Sequence, residues 1–145
     1  DGNPTRVKRY QDIAFAPAGP IRADLGLTVA DFFWEPFYQL LRQQMLAFHM
    51  QRAHEGGADS VRVLHISPAA NRALHKLTAP ALRRLGDDAF DVFKSVLTQP
   101  EGFIGWTAEG LLGQLLREPQ SAVSEWSAYL LERYDFLSPA REGAA

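Results

Sequence analysis

The sequence predicts a helix-rich α/β (α+β) fold, with a small or incomplete sheet flanked by helices. Three observations carry that expectation. Several segments repeat apolar residues at spacings of three and four, the pattern of helices with one buried face. One convincing strand, Ser60 to Ile66, and one short candidate, Phe103 to Trp106, interrupt them. The chain of 145 residues is 46% hydrophobic, with three Trp, nine Phe and four Tyr, enough to fill the core of a single domain over 1–145.

The elements follow in chain order. Residues 1–27 are punctuated by Gly2, Pro4, Pro17, Gly19, Pro20 and Gly26, and read as an irregular or partly ordered lead-in. Within them Thr5 to Ala16 can form a short helix presenting Val7, Tyr10, Ile13 and Ala14. Thr28 caps a short turn into Asp31-Phe32-Phe33-Trp34. Glu35-Pro36 starts the strongest helix, because proline suits a first turn and a glutamate there complements the helix dipole. That helix runs from Phe37 to about His54, with Phe37, Leu40, Leu41, Met45 and Phe48 as its apolar stripe. Glu55-Gly56-Gly57 closes it with a glycine available for the left-handed position. Gln39, Arg42, Leu46 and His49 fall on the opposite arc. Residues 36–54 contain neither Glu nor Lys, so the helix reads as buried on more than one side.

The strand Ser60 to Ile66 is β-branched and apolar on both alternating faces, as for a strand covered on each side. A helix from Thr78 or Ala79 to Leu85 follows, with Pro80 in its first turn. Gly86-Asp87-Asp88 caps another that buries Phe90, Phe93, Val96 and Leu97. Thr107 caps a helix with Leu111, Leu112, Leu115 and Leu116, and Ser121 caps a last one turning Val123, Trp126, Leu130 and Tyr134 inward. Residues 138–145 read as a frayed tail. Two strands are too few for an independent sheet. The missing partners are therefore expected from upstream residues, from a second copy, or from residues 1–27.

Charge and residue usage exclude several classes. With 15 basic and 17 acidic side chains the formal net charge is −2, so the chain is no strongly cationic nucleic-acid coat, though a local basic patch is compatible with it. No cysteine means no disulfide, thiolate ligand or cysteine nucleophile, which fits a reducing cytoplasm. No run approaches the ~18 apolar residues of a membrane span, so a cytoplasmic location and no membrane partner are expected.

The candidate chemistry is sparse. His49, His54, His65 and His75 form no spaced metal pair, and His65, in phase with Val61 and Val63, reads as a packed structural histidine. Asp87, Asp88 and Asp91 sit at a helix start, where capping explains them. No glycine-rich phosphate loop or nucleophile elbow occurs. Arg6, Lys8 and Arg9 with Tyr10 form a basic and aromatic cluster that suits either a phosphate backbone or an ordinary charged surface. Gln39 and Arg42 lie one helical turn apart. They suit either contact with phosphate beside a carboxylate site, or the satisfaction of buried backbone groups.

Tyr38 to Ala47, followed by Val61 to Ile66, resembles the Gln-x-x-Arg helix and next strand of the PD-(D/E)XK restriction-endonuclease-like superfamily. Phe103-Ile104-Gly105-Trp106-Thr107 and the closing Trp126 with Glu132-Arg133-Tyr134 are similar to the C-terminal part of one bacterial branch. The resemblance implies metal-dependent cleavage of DNA, in which an Asp and a Glu-x-Lys before that helix hold Mg²⁺ and activate water. It also implies DNA-binding or active-site support roles for Gln39 and Arg42, to which Lys8 and Arg9 of the basic cluster are added as candidates for DNA contact. The chain departs from the pattern at the metal-binding strands. The only lysine before Gln39 is Lys8, and the expected Glu position is Arg6, which cannot ligate a cation. Arg9-Tyr10-Gln11-Asp12 looks like the segment just after the Glu-x-Lys strand.

The expectation is therefore a fragment or naturally shortened relative of such a nuclease, inactive by itself. It would carry no catalytic or metal-binding residues and no cofactor of its own, Mg²⁺ belonging to complete relatives. DNA is the expected partner, with self-association through a strand edge or apolar surface. The alternative is a non-catalytic protein-interaction or dimerisation module. A third reading is a small-ligand pocket near Phe32-Phe33-Trp34.

Overall fold

Pro36 ends the irregular approach to the central helix, and its carbonyl accepts the N–H of Leu40 at 3.2 Å. In the computed structural model, which describes residues 4–117 and 124–134, helix α2 then runs over Phe37–Arg52. Phe37, Leu40, Leu41, Gln44, Met45 and Ala47 are its buried residues, while Phe48 is half-buried. The opposite arc of Gln39, Arg42, Leu46 and His49 is exposed, so α2 is buried on one side only, and its lack of Glu and Lys does not signal a second covered face. The left-handed residue after the helix is His54, at φ 48°; Gly56 and Gly57 take positive φ further on.

The described residues divide into two compact units, 4–65 with 71–105, and 66–70 with 106–117 and 124–134. The first unit opens with α1 (Pro4–Ala14), whose Val7, Tyr10 and Ile13 pack on the core and whose Ala14 is fully buried. Gln11 holds it in place, its Oε1 accepting the Val29 N–H at 2.8 Å. The next turn, Val29–Phe32, is 3-10 helical, closed by the Asp31 carboxylate accepting the Thr28 N–H at 2.8 Å and its hydroxyl at 2.9 Å. Ile21 bridges Leu97 in antiparallel fashion, so the described residues 4–27 contribute helical turns and an isolated bridge rather than a sheet strand.

Strand β1 covers Val63–Ser67 and starts later than the apolar run, because the Val61 N–H donates to Gln51 Oε1 at 3.1 Å instead of joining a ladder. Its partner is β2, Phe103–Thr107, in a two-stranded parallel sheet. Both strands are those the sequence suggested, and among the described residues no third strand joins them. Between the strands lie α3 (Arg72–His75), a 3-10 turn at Pro80–Leu85 where an α-helix was expected, and α4 (Ala89–Ser95). Such a crossover is what parallel pairing requires. The strand is not covered on both faces: Leu64 is 50% and Ile66 43% exposed.

Asp88 caps α4 as expected, its carboxylate accepting the N–H groups of Phe90 and Asp91. Phe90, Phe93, Val96 and Leu97 are all buried. A run of rings, Phe32 to Phe37 to Phe93 to Phe103, crosses the core of this unit, edge to face at its two ends and tilted between Phe37 and Phe93. Each such pair adds about 0.5–1.5 kcal/mol beyond its buried area. Phe32 and Phe37 are spent there and Trp34 is exposed, so the aromatic segment forms core and not a ligand pocket.

The second unit holds α5 (Ala108–Arg117) and α6 (Ser124–Arg133). Thr107 caps α5, its Oγ1 accepting the Gly110 N–H at 3.0 Å, and the Glu109 carboxylate accepts the Ala69 N–H at 3.0 Å. On α6 Leu130 is buried, but Trp126 is 44% exposed and Tyr134, just after the helix, 39%, against the inward placing expected of both. The expected cap Ser121, Val123 and the tail 138–145 lie outside the described residues. No helix among those described is long and apolar enough to cross a membrane.

Candidate nucleic-acid interface

Two helices of the first unit carry the same spacing of functional side chains. On α1, Arg6, Arg9, Tyr10 and Ile13 stand at i, i+3, i+4 and i+7; on α2, Arg42, Met45, Leu46 and His49 repeat it. Such residues share one helical face. α1 packs on α2, and these two faces line one groove of about 490 Å³, which Thr5 completes. Its walls are the apolar Ile13, Met45 and Leu46 and its charged groups are the three guanidiniums, with no carboxylate in the lining.

The guanidiniums are free to meet an anion. Among the described residues no carboxylate is ion-paired to Arg6, Arg9 or Arg42. Arg42 lies over the Tyr38 ring, 5.6 Å from its centroid, and Tyr38 meets Phe33 edge to face at 5.5 Å. That stacking leaves the planar fork of Arg42 its donors, suited to bidentate contact with a phosphate.

The expected site residues divide on this geometry. Arg9 and Arg42 come together in the groove, joined by Arg6 and His49. Lys8, off that face of α1, does not line it and pairs with Asp12 at 3.8 Å. Gln39 is exposed on α2 and does not line it either.

A second cluster was not anticipated. His75 Nδ1 stands 2.6 Å from Asp88 Oδ2, and both side chains are about one-third exposed. An ionised carboxylate only accepts, so Nδ1–H donates. Phe90 meets both histidine rings of the cluster: His65 stacks on it at 4.3 Å and His75 stands nearly perpendicular to it at 4.9 Å. The Nε2 atoms of both histidines are buried without a hydrogen-bond partner. Burial lowers the His65 pKa and the neighbouring His75 lowers it further. Burial pushes the Asp88 carboxyl up, but the hydrogen bond from His75 and the N–H groups of Asp91 and Phe90 outweigh it and hold the group below its ordinary value. An Asp that orients a His is half of a proton-transfer device. Here the other Asp88 oxygen caps α4, and the pair ties α3 to that helix.

No three His, Asp or Glu side chains among the described residues are placed to hold a metal ion. These residues do not fit the two-carboxylate Mg²⁺ site that nuclease chemistry would use, and no hydrolytic step follows from them.

Comparison with known proteins agrees with the restriction-endonuclease-like resemblance. The family described as Restriction Endonuclease associating with ARP matches residues 7–135. No curated protein and no solved structure matches the chain.

Proposed function

The chain belongs to the family of restriction endonucleases associating with ARP, and on that footing we propose that it is a DNA-contacting module that grips the phosphate backbone through the groove between α1 and α2. The observation that carries the reading is the convergence of Arg6, Arg9 and Arg42 on one groove without a carboxylate, in a chain whose net charge is −2. Cationic side chains gathered on one face of a weakly acidic protein make a local field that the overall charge conceals. Phosphate contacts position a protein on the duplex and carry no sequence information directly. The groove accordingly supplies affinity and register rather than choice of sequence.

Binding without cutting is the second part of the reading. The described residues do not assemble a set of metal ligands, and the position where a metal-binding glutamate is expected carries Arg6. The test is a titration of a fluorescently labelled DNA duplex with the purified chain at several salt concentrations, with a plasmid incubated in Mg²⁺ or Mn²⁺ alongside. Salt-sensitive binding with an intact plasmid supports the proposal. Metal-dependent cutting abolished by one Asp or Glu substitution in this chain overturns its second part, and absence of binding at low salt overturns its first.

Self-association is a further reading, favoured by the exposure of Leu64 and Ile66 on one face of β1. Light scattering at tens of micromolar that gives a monomer mass would remove it.

A further inference from the structure

On the side of α2 away from Arg42, the first unit encloses a cavity of about 240 Å³ that none of the preceding argument uses. Gln44 lines it. The residue is 7% exposed, and its Oε1 is buried without a hydrogen-bond partner. A buried acceptor without a donor is costly, so a group with an N–H or O–H belongs beside it. Gln51, two helical turns on, shows the contrast, because its own Oε1 accepts the Val61 N–H at 3.1 Å.

Gly102 forms the wall against the Gln44 amide. A Cβ at that position would stand 3.2 Å from Gln44 Nε2, tighter than ordinary contact, so the glycine leaves the amide its room. At the rim the chemistry changes. Arg52, whose Cζ lies 5.4 Å from the centroid of the Phe48 ring, and Arg62 supply two guanidiniums, and Glu101 supplies a carboxylate; all three charged residues are exposed. Among the described residues none of the three is ion-paired.

We propose that this cavity binds an adenine nucleotide, with the base at the Gln44 amide and the phosphate toward Arg52 and Arg62. A glutamine amide offers an acceptor and a donor side by side, which matches the N6–H donor and N7 acceptor of adenine. Guanidiniums suit phosphate, and a carboxylate at the rim accepts from ribose hydroxyls, as acidic residues do in other nucleotide sites. The volume lies just below the roughly 300–1,000 Å³ of small-molecule pockets, a scale suited to a mononucleotide whose phosphate stays at the rim. The inference is independent of the DNA groove, which lies on the opposite arc of α2.

Isothermal titration of the full chain with adenosine monophosphate tests it. Saturable binding is expected, at least tenfold weaker for cytidine monophosphate and for inorganic phosphate, and at least tenfold weaker in Gln44→Leu. Arg62→Ala, at an exposed position, keeps the test decisive should Gln44→Leu fail to fold, and should weaken binding several-fold. Titration with a short single-stranded oligodeoxyadenylate separates the two sources of the base: Gln44-dependent binding tighter than that of the free nucleotide supports a base presented by a strand, and weaker binding supports the free nucleotide. No binding at millimolar nucleotide, equal binding of the cytidine nucleotide, or unchanged affinity in the variants would overturn the assignment and leave water as the partner of Gln44.

Discussion

Arg9 on α1 and Arg42 on α2 line the same groove although they belong to different helices, because each sits one turn before an apolar residue, Ile13 or Leu46, of that groove's wall. If the groove grips phosphates, each arginine contributes about one unit of salt slope. Arg42→Ala and Arg9→Ala should each flatten the log affinity against log salt plot by about one, and the double substitution by about two. Lys8→Ala, outside the lining, should leave the slope unchanged. Melting should move little in the single variants, since exposed substitutions of this kind stay within about 0.5 kcal/mol. A loss of affinity without a change in slope would remove Arg9 and Arg42 from the phosphate contact.

The core prediction rests on Phe93, which is fully buried and meets Phe37 at 6.5 Å and Phe103 at 5.3 Å. Phe93→Ala removes both ring contacts and leaves a void, so it should destabilise by about 3–5 kcal/mol. Urea denaturation measures it. A cost below about 1 kcal/mol would mean that the α4 face packs elsewhere than between α2 and β2.

The fold was legible where a local rule also decided the tertiary outcome. The stripe on α2, the Asp88 cap and the inward Phe90, Phe93, Val96 and Leu97 follow from periodicity and capping, and the structure places them accordingly. Periodicity failed where a distant partner decided. Gln51 takes the Val61 N–H and so delays β1, and the apolar Leu64 and Ile66 remain exposed despite their strand-like pattern. The groove was half legible. Arg9 and Arg42 could be singled out separately by residue type, but only the packing of α1 on α2 selects Arg6 and His49 and excludes Lys8 and Gln39. Gln44 left one signal, its core phase on α2. The His75–Asp88 pair left none, because the two residues meet through the placing of α3 against α4.

Gly19 shows how closely the lead-in is packed. A Cβ there would stand 2.6 Å from the Ala14 carbonyl oxygen and 2.8 Å from the Ala16 nitrogen, both backbone atoms that cannot swing aside. The same residue's carbonyl accepts the Thr98 hydroxyl at 2.9 Å, tying the turn to the end of α4. Gly19→Ala should therefore cost about 1–3 kcal/mol, as overpacking does. Gly26, left-handed at φ 64° with nothing within 4 Å, is the control: its alanine variant should cost only about 1 kcal/mol of backbone strain. Equal costs in thermal melts would show that Gly19 is not closely packed.

The pH dependence of stability follows from His65 and Asp88. In the folded chain the His65 pKa lies below its ordinary 6.5, through burial first and the charge of His75 second. As pH falls the unfolded chain therefore takes up the proton before the folded one. The contribution of His65 is complete above pH 6.5 and is lost as pH falls from there through the folded value. Asp88 is held below its ordinary 3.8 despite its burial, so its contribution is complete above that value and is lost as pH falls through the depressed one. Both groups thus weaken the fold on acidification, in separate windows. The urea midpoint should drop between pH 7.5 and 5.5, remain comparatively level as far as Asp88 is concerned until below pH 4, and then drop again. His65→Phe keeps a ring against Phe90 and removes the proton, so it should flatten the first drop and spare the second. Asp88→Asn retains a capping oxygen but no charge for His75, so it should lower the midpoint at pH 7 and flatten the second drop. A wild-type midpoint unchanged from pH 7.5 to 5.5, or an identical drop in His65→Phe, would show that the stack on Phe90 does not hold His65 neutral.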